Sequence, residues 1–339
     1  MRIYHFIKLS LLIVLILTIW AFFIPRSYDV QAFEERAGTE YWLLNTGSKI
    51  GLTIIKSKAE DHKSPIIYLH GGPGGMIHDE IIQVLKPLAD TGHDLYFYDQ
   101  VGSGHSSRLE DIQEYSVDRH RADLQEIIEK INSKRVIIIA HSWGCLLAIN
   151  YIQENPDQVE KMILTGPGPI LPMNKNMANE IAPDSLNLIA PEFSNSEGNR
   201  KANNLRSRLV SKWAYIFSRK LASDKEMDDF FTHLNEELSK STFCKANQTK
   251  KFKGGGGYYS HIMTVKSFDA VQDKRKSLKN MTIPVLILRG QCDNQKWGFA
   301  KEYLDLLPNS QIVIIENVGH DVVKGNRDEY FNLVSGFIK

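Results

Sequence analysis

The chain has 339 residues, 42% hydrophobic and 24% charged, which is enough apolar material for a large core without metal or disulfide staples. Lys and Arg number 41 against 40 Asp and Glu, a balance that argues against nucleic acid or another polyanion as partner. The three cysteines, Cys145, Cys244 and Cys292, are odd in number and lack C-x-x-C spacing, so neither a zinc site nor a disulfide framework is indicated.

The N-terminus carries the first element. Arg2 and Lys8 precede Leu9 to Ile24, an apolar run interrupted only by Ser10 and Thr18 and ended by Pro25 and Arg26. With Ile3 to Ile7 added it reaches the ~20 residues that cross a bilayer as a helix. It has no polar face, which excludes an amphipathic surface helix. Two readings compete: an uncleaved membrane anchor, or a signal peptide cut at Val30-Gln31-Ala32. The anchor is preferred because that small-residue site lies well beyond the apolar run. In both cases the basic end stays in the cytoplasm and the folded body lies outside.

Tyr41 to Leu44 and Lys49 to Lys56 flank Asn45-Thr46-Gly47-Ser48 and predict an antiparallel hairpin. Short apolar runs follow at Ile66–Leu69, Leu95–Tyr98, Val136–Ile139, Met162–Leu164, Val285–Leu288 and Ile312–Ile315. Runs without polar alternation suit strands buried on both faces, as in a parallel sheet. Helical stretches separate them, at Asp79 to Asp90, Val117 to Ile131, Trp143 to Glu154, Gly298 to Leu307 and Asp328 to Ile338. The alternation predicts an α/β fold with right-handed crossovers.

From Pro169 to Lys276 no strand is evident, and this stretch reads as a helical cap over the strand ends. Four consecutive glycines, Gly254 to Gly257, predict a mobile loop; without a preceding strand or a following Lys-Ser/Thr they do not make a phosphate cradle. The chain thus divides into a membrane or signal segment (1–26), two parts of an α/β core (33–168 and 277–339) and the cap (169–276). Cys145 reads as packing, three residues past Ser142. A Cys244–Cys292 bridge is conceivable, though sequence cannot supply its geometry.

The chemistry centres on Ala140-His141-Ser142-Trp143-Gly144, between a four-residue Ile/Val strand and a helix. This is a small-x-Ser-x-Gly nucleophile elbow, with Ala140 where the strict motif has Gly. A serine needs a base. In the α/β-hydrolase fold the base lies after the final strand and its acid after the penultimate one, which selects His320 and Asp293. Glu316 and Asp321 sit too close to His320 in sequence to reach its far nitrogen. Backbone donors for an oxyanion are expected at Trp143 and at Gly72, with Gly71 beside it, in His70-Gly71-Gly72-Pro73-Gly74-Gly75. His70 and Asp99 read as loop braces. His62, His70, His78 and His93 lack metal-site spacing, and no metal is expected.

These strings, with Asp99-Gln100-x-Gly102-x-Gly104-x-Ser106 and Leu147-Ala148, resemble the proline iminopeptidase family of α/β hydrolases. The resemblance is strong over 38–170 and moderate over 284–338. It implies an α/β-hydrolase fold with a mostly parallel eight-stranded sheet and a helical cap. It implies cofactor-free acyl-enzyme chemistry releasing N-terminal residues from short peptides, with Ser142, Asp293 and His320 catalytic. The family binds the substrate amine with cap carboxylates, for which Glu236 and Glu237, or Asp228 and Asp229, are candidates. Two features depart from the family: Thr165-Gly166-Pro167 lacks its usual Arg, and a membrane segment is atypical. An esterase, lactonase or amidase acting on a small non-peptide substrate is the alternative; a non-catalytic ligand-binding protein is a third reading.

Overall fold

The computed structural model describes residues 2–245, 247–248 and 251–339. The N-terminal run forms one helix, α1 (Arg2–Phe23), which is long and apolar enough to span a membrane and is almost wholly exposed along its length. The hairpin follows as β1 (Glu40–Leu43) and β2 (Lys49–Ile55), closed by Gly47 at a φ of 86° that favours glycine. Next come β3 (Ile66–Leu69), α2 (Asp79–Leu85), β4 (Leu95–Tyr98), α3 (Val117–Ile131), β5 (Val136–His141), α4 (Trp143–Ile152) and β6 (Val159–Thr165). Helix α2 gives way to a 3-10 turn at Lys86–Thr91, earlier than the predicted end at Asp90, because Pro87 cannot continue it. After the insertion come β7 (Val285–Gly290), α10 (Trp297–Leu306), β8 (Ser310–Ile315), α11 (Val322–Gly325) and α12 (Arg327–Ile338), with α5 to α9 reserved for the insertion itself.

The eight strands form one sheet in the order β1-β2-β4-β3-β5-β6-β7-β8. The sheet is mixed: β2 runs antiparallel to both neighbours, and every pair from β4 to β8 is parallel. Strand β5 shows why the central runs lack alternation. Val136, Ile138 and Ala140 face the layer containing Leu124, Ile128 and Leu147, while Ile137 and Ile139 face the opposite layer with Leu85 and Val334. Both faces are core, so both parities must be apolar.

Between β6 and β7 lie α5 (Asn195–Ala202), α6 (Leu205–Phe217), α7 (Asp224–Ser239), α8 (Tyr258–Lys266) and α9 (Arg275–Leu278), with short 3-10 turns ahead of α5 and after α7 and α8. Each of α5, α6 and α7 starts at a Ser or Asn whose side chain accepts a hydrogen bond from the third helical N–H. The Arg108–Asp228 ion pair, at 2.9 Å, ties α7 to the segment after β4.

Two local expectations are corrected. The glycine run is tightly packed among its neighbours. Gly254 N–H donates to Gln31 O (2.8 Å), Gly257 N–H donates to Gly74 O (2.7 Å), and Gly104 N–H donates to Gly255 O (2.7 Å). A Cβ on Gly257 would come within 1.8 Å of Gly102 O, so the glycines serve close approach of backbones. The second correction concerns cysteine: Cys244 and Cys292 are bridged, with Cα atoms 5.2 Å apart, joining the insertion to the loop after β7.

The exit from α1 is also held by the insertion. Arg206, 3% exposed, forms a bidentate pair with Glu226, both contacts 2.9 Å. The same guanidinium donates to the carbonyls of Ala21 (2.8 Å) and Phe22 (2.5 Å), two of the acceptors a helix end leaves unsatisfied. Arg26 N–H donates to Glu226 Oε1 at 3.0 Å. Beyond it Tyr28 packs on Phe230 and accepts from Asn204, and Phe33 packs on His105.

Candidate functional site

Ser142 stands at the turn between β5 and α4 with φ 53° and ψ −117°, a region non-glycine residues rarely enter. The turn is tight because its neighbours are. A Cβ on Gly144 would lie 2.2 Å from Leu69 O, and one on Gly71 would lie 3.1 Å from the Ser142 Cβ. Ala140 is fully buried, so the alanine in place of the motif's first glycine fits as an ordinary core methyl.

His320, in the loop between β8 and α11, presents Nδ1 to Asp293 Oδ1 at 2.9 Å. Asp293 follows β7, and its side chain is fully buried. Gly166, at φ 54°, makes room for the pair: a Cβ there would sit 2.9 Å from the His320 ring and 3.2 Å from Asp293 Oδ2. His320 and Ser142 both line a cavity of about 460 Å³ between the core and the insertion. His320 thus joins Asp293, which it contacts, to the cavity that Ser142 also lines. Gly71 and Gly72 line the same cavity, whereas Trp143 is buried behind it.

The charges at this pair are set by burial and by each other. Burial alone would raise the Asp293 carboxyl, but the charge and hydrogen bond of His320, helped by Arg289 and the Gln295 N–H, hold it at about 2. Burial lowers His320, and Asp293 more than offsets that, leaving the imidazole above its ordinary value. Three other histidines of the cavity go the opposite way. Burial lowers His70 and His261, and burial with the neighbouring His320 brings His141 to about 4. Of these four, His320 is the one held toward the charged form by a carboxylate in contact with it.

Several supporting residues escaped the sequence reading. Gln100 donates from Nε2 to His70 O (3.0 Å) and accepts at Oε1 from Trp143 Nε1 (2.7 Å), joining the glycine loop to the start of α4. His70 Nε2 accepts from Gln100 N–H at 2.9 Å, consistent with its predicted bracing role. Asp99 accepts from the Ile77 and His105 N–H groups and from the His105 ring, and so braces the same region. Arg289, 3% exposed, donates to Gln295 O (2.6 Å) and holds the turn that carries Asp293. Gln100 lies in a quoted motif; Arg289 had no signal beyond a charge inside an apolar strand.

The candidate amine-binding carboxylates are displaced from the cavity. Glu236 accepts from Lys251 Nζ (3.0 Å) and Phe252 N–H (3.1 Å), and Glu237 pairs with Lys240 at 2.7 Å. Asp228 pairs with Arg108 and accepts from Tyr258 N–H; Asp229 pairs with Lys225. None of the four lines the cavity; the carboxylates that do are Glu80 and Asp321. The reason is helical phase: α7 presents Phe231, Leu234, Asn235 and Leu238 to the cavity, and Glu236 and Glu237 fall on other faces.

This sheet order with a serine elbow after the fifth strand defines the α/β hydrolases. Residues 64–326 match the family model described as alpha/beta hydrolase fold, and the chain belongs to that family. Among its relatives, a proline iminopeptidase of Saccharolobus solfataricus is 27% identical over 277 residues, covering 80% of this chain and 84% of that protein. A proline iminopeptidase of Thermoplasma volcanium is 23% identical over 292 residues, covering 83% and 91%. Similar solved structures include the esterase RhEst1 from Rhodococcus sp. (TM-score 0.60, 16% identity, covering 89% and 98%) and a proline iminopeptidase of Mycobacterium smegmatis (TM-score 0.57, 16% identity, 88% and 97%).

Proposed function

We propose that the protein is a membrane-anchored serine hydrolase that releases N-terminal residues from short peptides. The observation that carries the chemistry is the buried 2.9 Å contact of His320 with Asp293 beside a serine in a strained turn. In this reading Ser142 Oγ attacks the scissile carbonyl, and His320 Nε2 takes its proton. The Nδ1–H of His320 donates to Asp293, which fixes the tautomer and stabilises the imidazolium. The Trp143 N–H, unpaired within its helix because it opens the first turn, and the Gly72 N–H receive the developing oxyanion. His320 then protonates the leaving amine, and water frees the acyl group by the same route in reverse.

The peptide specificity is supported by the named relatives, at low identity. A second reading, an esterase or amidase without need of a free amine, is favoured by one observation: the four cap carboxylates expected to hold that amine all bind elsewhere. A panel run on the detergent-solubilised full chain separates the two. Aminoacyl-arylamides should be cleaved at least tenfold faster than their N-acetyl counterparts if an amine is recognised. Equal rates, or rapid cleavage of simple aryl esters alone, would establish the second reading.

The proposed location is supported by α1 and the contacts that hold its end. Arg206 and Glu226 hold the end of α1, which supports a helix that stays attached after export. The Cys244–Cys292 bridge suits an oxidising compartment outside the cytoplasm. Blotting the membrane fraction for an intact N-terminal epitope tests this; a mature chain starting after Ala32 would refute it.

A further inference from the structure

Helix α6 is built unlike a solvent-facing helix. Its buried side carries Arg206, Ser207, Val210 and Ala214. Opposite them, Leu205, Leu209 and Ile216 fall in one strip at i, i+4 and i+11, where a water-facing helix would carry polar residues. Leu205 is 55% exposed and Ile216 65%, and Phe217 at the helix end is 53% exposed. Tyr215, Ile216 and Ile262 line a shallow apolar hollow continuing this surface. From Leu205 to Lys220 the chain has cations at Arg206, Arg208, Lys212, Arg219 and Lys220 and no acid.

The strip adjoins the membrane helix. Phe22 of α1 packs edge-on against Trp213 with ring centres 6.2 Å apart, and Trp213 packs on Phe217 at 4.5 Å. Trp20 carries Arg26 over its ring, an aromatic and a cation at the point where α1 leaves the apolar layer. Aromatic contacts therefore link α1 to the end of α6.

We propose that α6 lies in the surface of the bilayer that α1 enters. Leu205, Leu209 and Ile216 rest against the acyl-chain boundary, and Arg208, Lys212 and Arg219 occupy the headgroup layer. This rests on the reading of α1 as a retained membrane helix. A helix with one apolar strip, flanking aromatics and only cationic charges has the composition of an interfacial helix. Lys212 falls within the strip, and its long apolar stem lets the ammonium reach the headgroups. The cap is then held at a fixed orientation to the membrane by two elements, α1 through it and α6 along it.

The test uses the full chain in vesicles of phosphatidylcholine and phosphatidylglycerol, with and without bromine on the acyl chains. Cys145 is buried and the other two cysteines are bridged, so single introduced cysteines can be labelled with a bimane fluorophore. Leu12→Cys reports on α1, Ile216→Cys on α6, and Asn332→Cys, exposed on α12, serves as control. The proposal expects brominated lipid to reduce emission at positions 12 and 216 by about twofold or more, and to leave position 332 unchanged. Quenching at 12 but not at 216 would overturn the placement of α6 while leaving the anchor intact. No quenching at 12 would overturn the anchor reading and the proposal with it. Efficient disulfide dimerisation through Ile216→Cys without quenching would make a second copy the occupant and also overturn it.

Discussion

Helices α4 and α6 are both rich in apolar residues, and the structure uses that property in opposite ways. Every residue of α4 from Trp143 to Ile152 is buried, packed between the sheet and α3. Helix α6 buries a charged and a hydroxyl side chain, Arg206 and Ser207, and exposes Leu205 and Ile216. In the core, the environment of each position follows from the sheet alone. In the insertion it depends on partners supplied by remote segments: Glu226, the end of α1 and, on the proposal above, a bilayer. On that proposal, the difference separates a part of the molecule organised for chemistry from a part organised for attachment.

That separation can be broken by four experiments. The largest effect is expected from Ser142→Ala, which should lower kcat by roughly 10⁶-fold with unchanged melting temperature. Retained turnover would move the chemistry away from the elbow. Next is Asp293→Asn, expected to cost about 10⁴-fold in kcat. Its pH profile carries the sharper reading. His320 must be neutral to accept a proton, so activity falls as pH drops through its raised pKa. Without the carboxylate that pKa falls, and the acid limb of the residual kcat/KM should shift to lower pH. A shift upward would exclude His320 as the base.

On the attachment side the effects should fall on stability. Arg206→Met strips the buried Glu226 of its charged partner and should cost about 3–5 kcal/mol in denaturant unfolding followed by tryptophan emission. The surviving folded fraction should turn over normally; a lost kcat with unchanged stability would erase the division between the two parts. Smallest is Cys244→Ser, expected to cost about 2–4 kcal/mol. Because Cys292 adjoins Asp293, a change in kcat beyond a few-fold would mean that the bridge also positions the acid.

The parts legible in the sequence were those governed by local pattern. The strands from Ile66 to Ile315 could be read because a two-sided core demands continuous apolar runs. Ser142, Asp293 and His320 were expected because the fold order fixes which loop each must occupy; in the structure His320 contacts Asp293 and lines one cavity with Ser142. The rest depends on contacts between distant residues. Gly254 to Gly257 look flexible until Gly74 and Gly102 are seen against them. Cys244 pairs with Cys292 only once the end of α7 is laid over the loop after β7. Glu236 and Glu237 sit on a helix whose phase toward the cavity is set by Phe231 and Leu238, and periodicity alone did not choose among its faces. Arg206 carries no signal in the sequence, since its burial depends on Glu226 and on the end of α1 beside it.

The backbone bond from Gly254 to Gln31 has a practical consequence for anyone preparing a soluble version of this enzyme. The strip that starts at this bond runs on through Gly257 to Gly74, two residues from Gly72. A truncation made at Ala32 would remove the first support of that strip along with the two carbonyls that Arg206 binds. A form beginning ahead of Ala21 keeps both, so the place to cut lies inside the apolar helix and not after it.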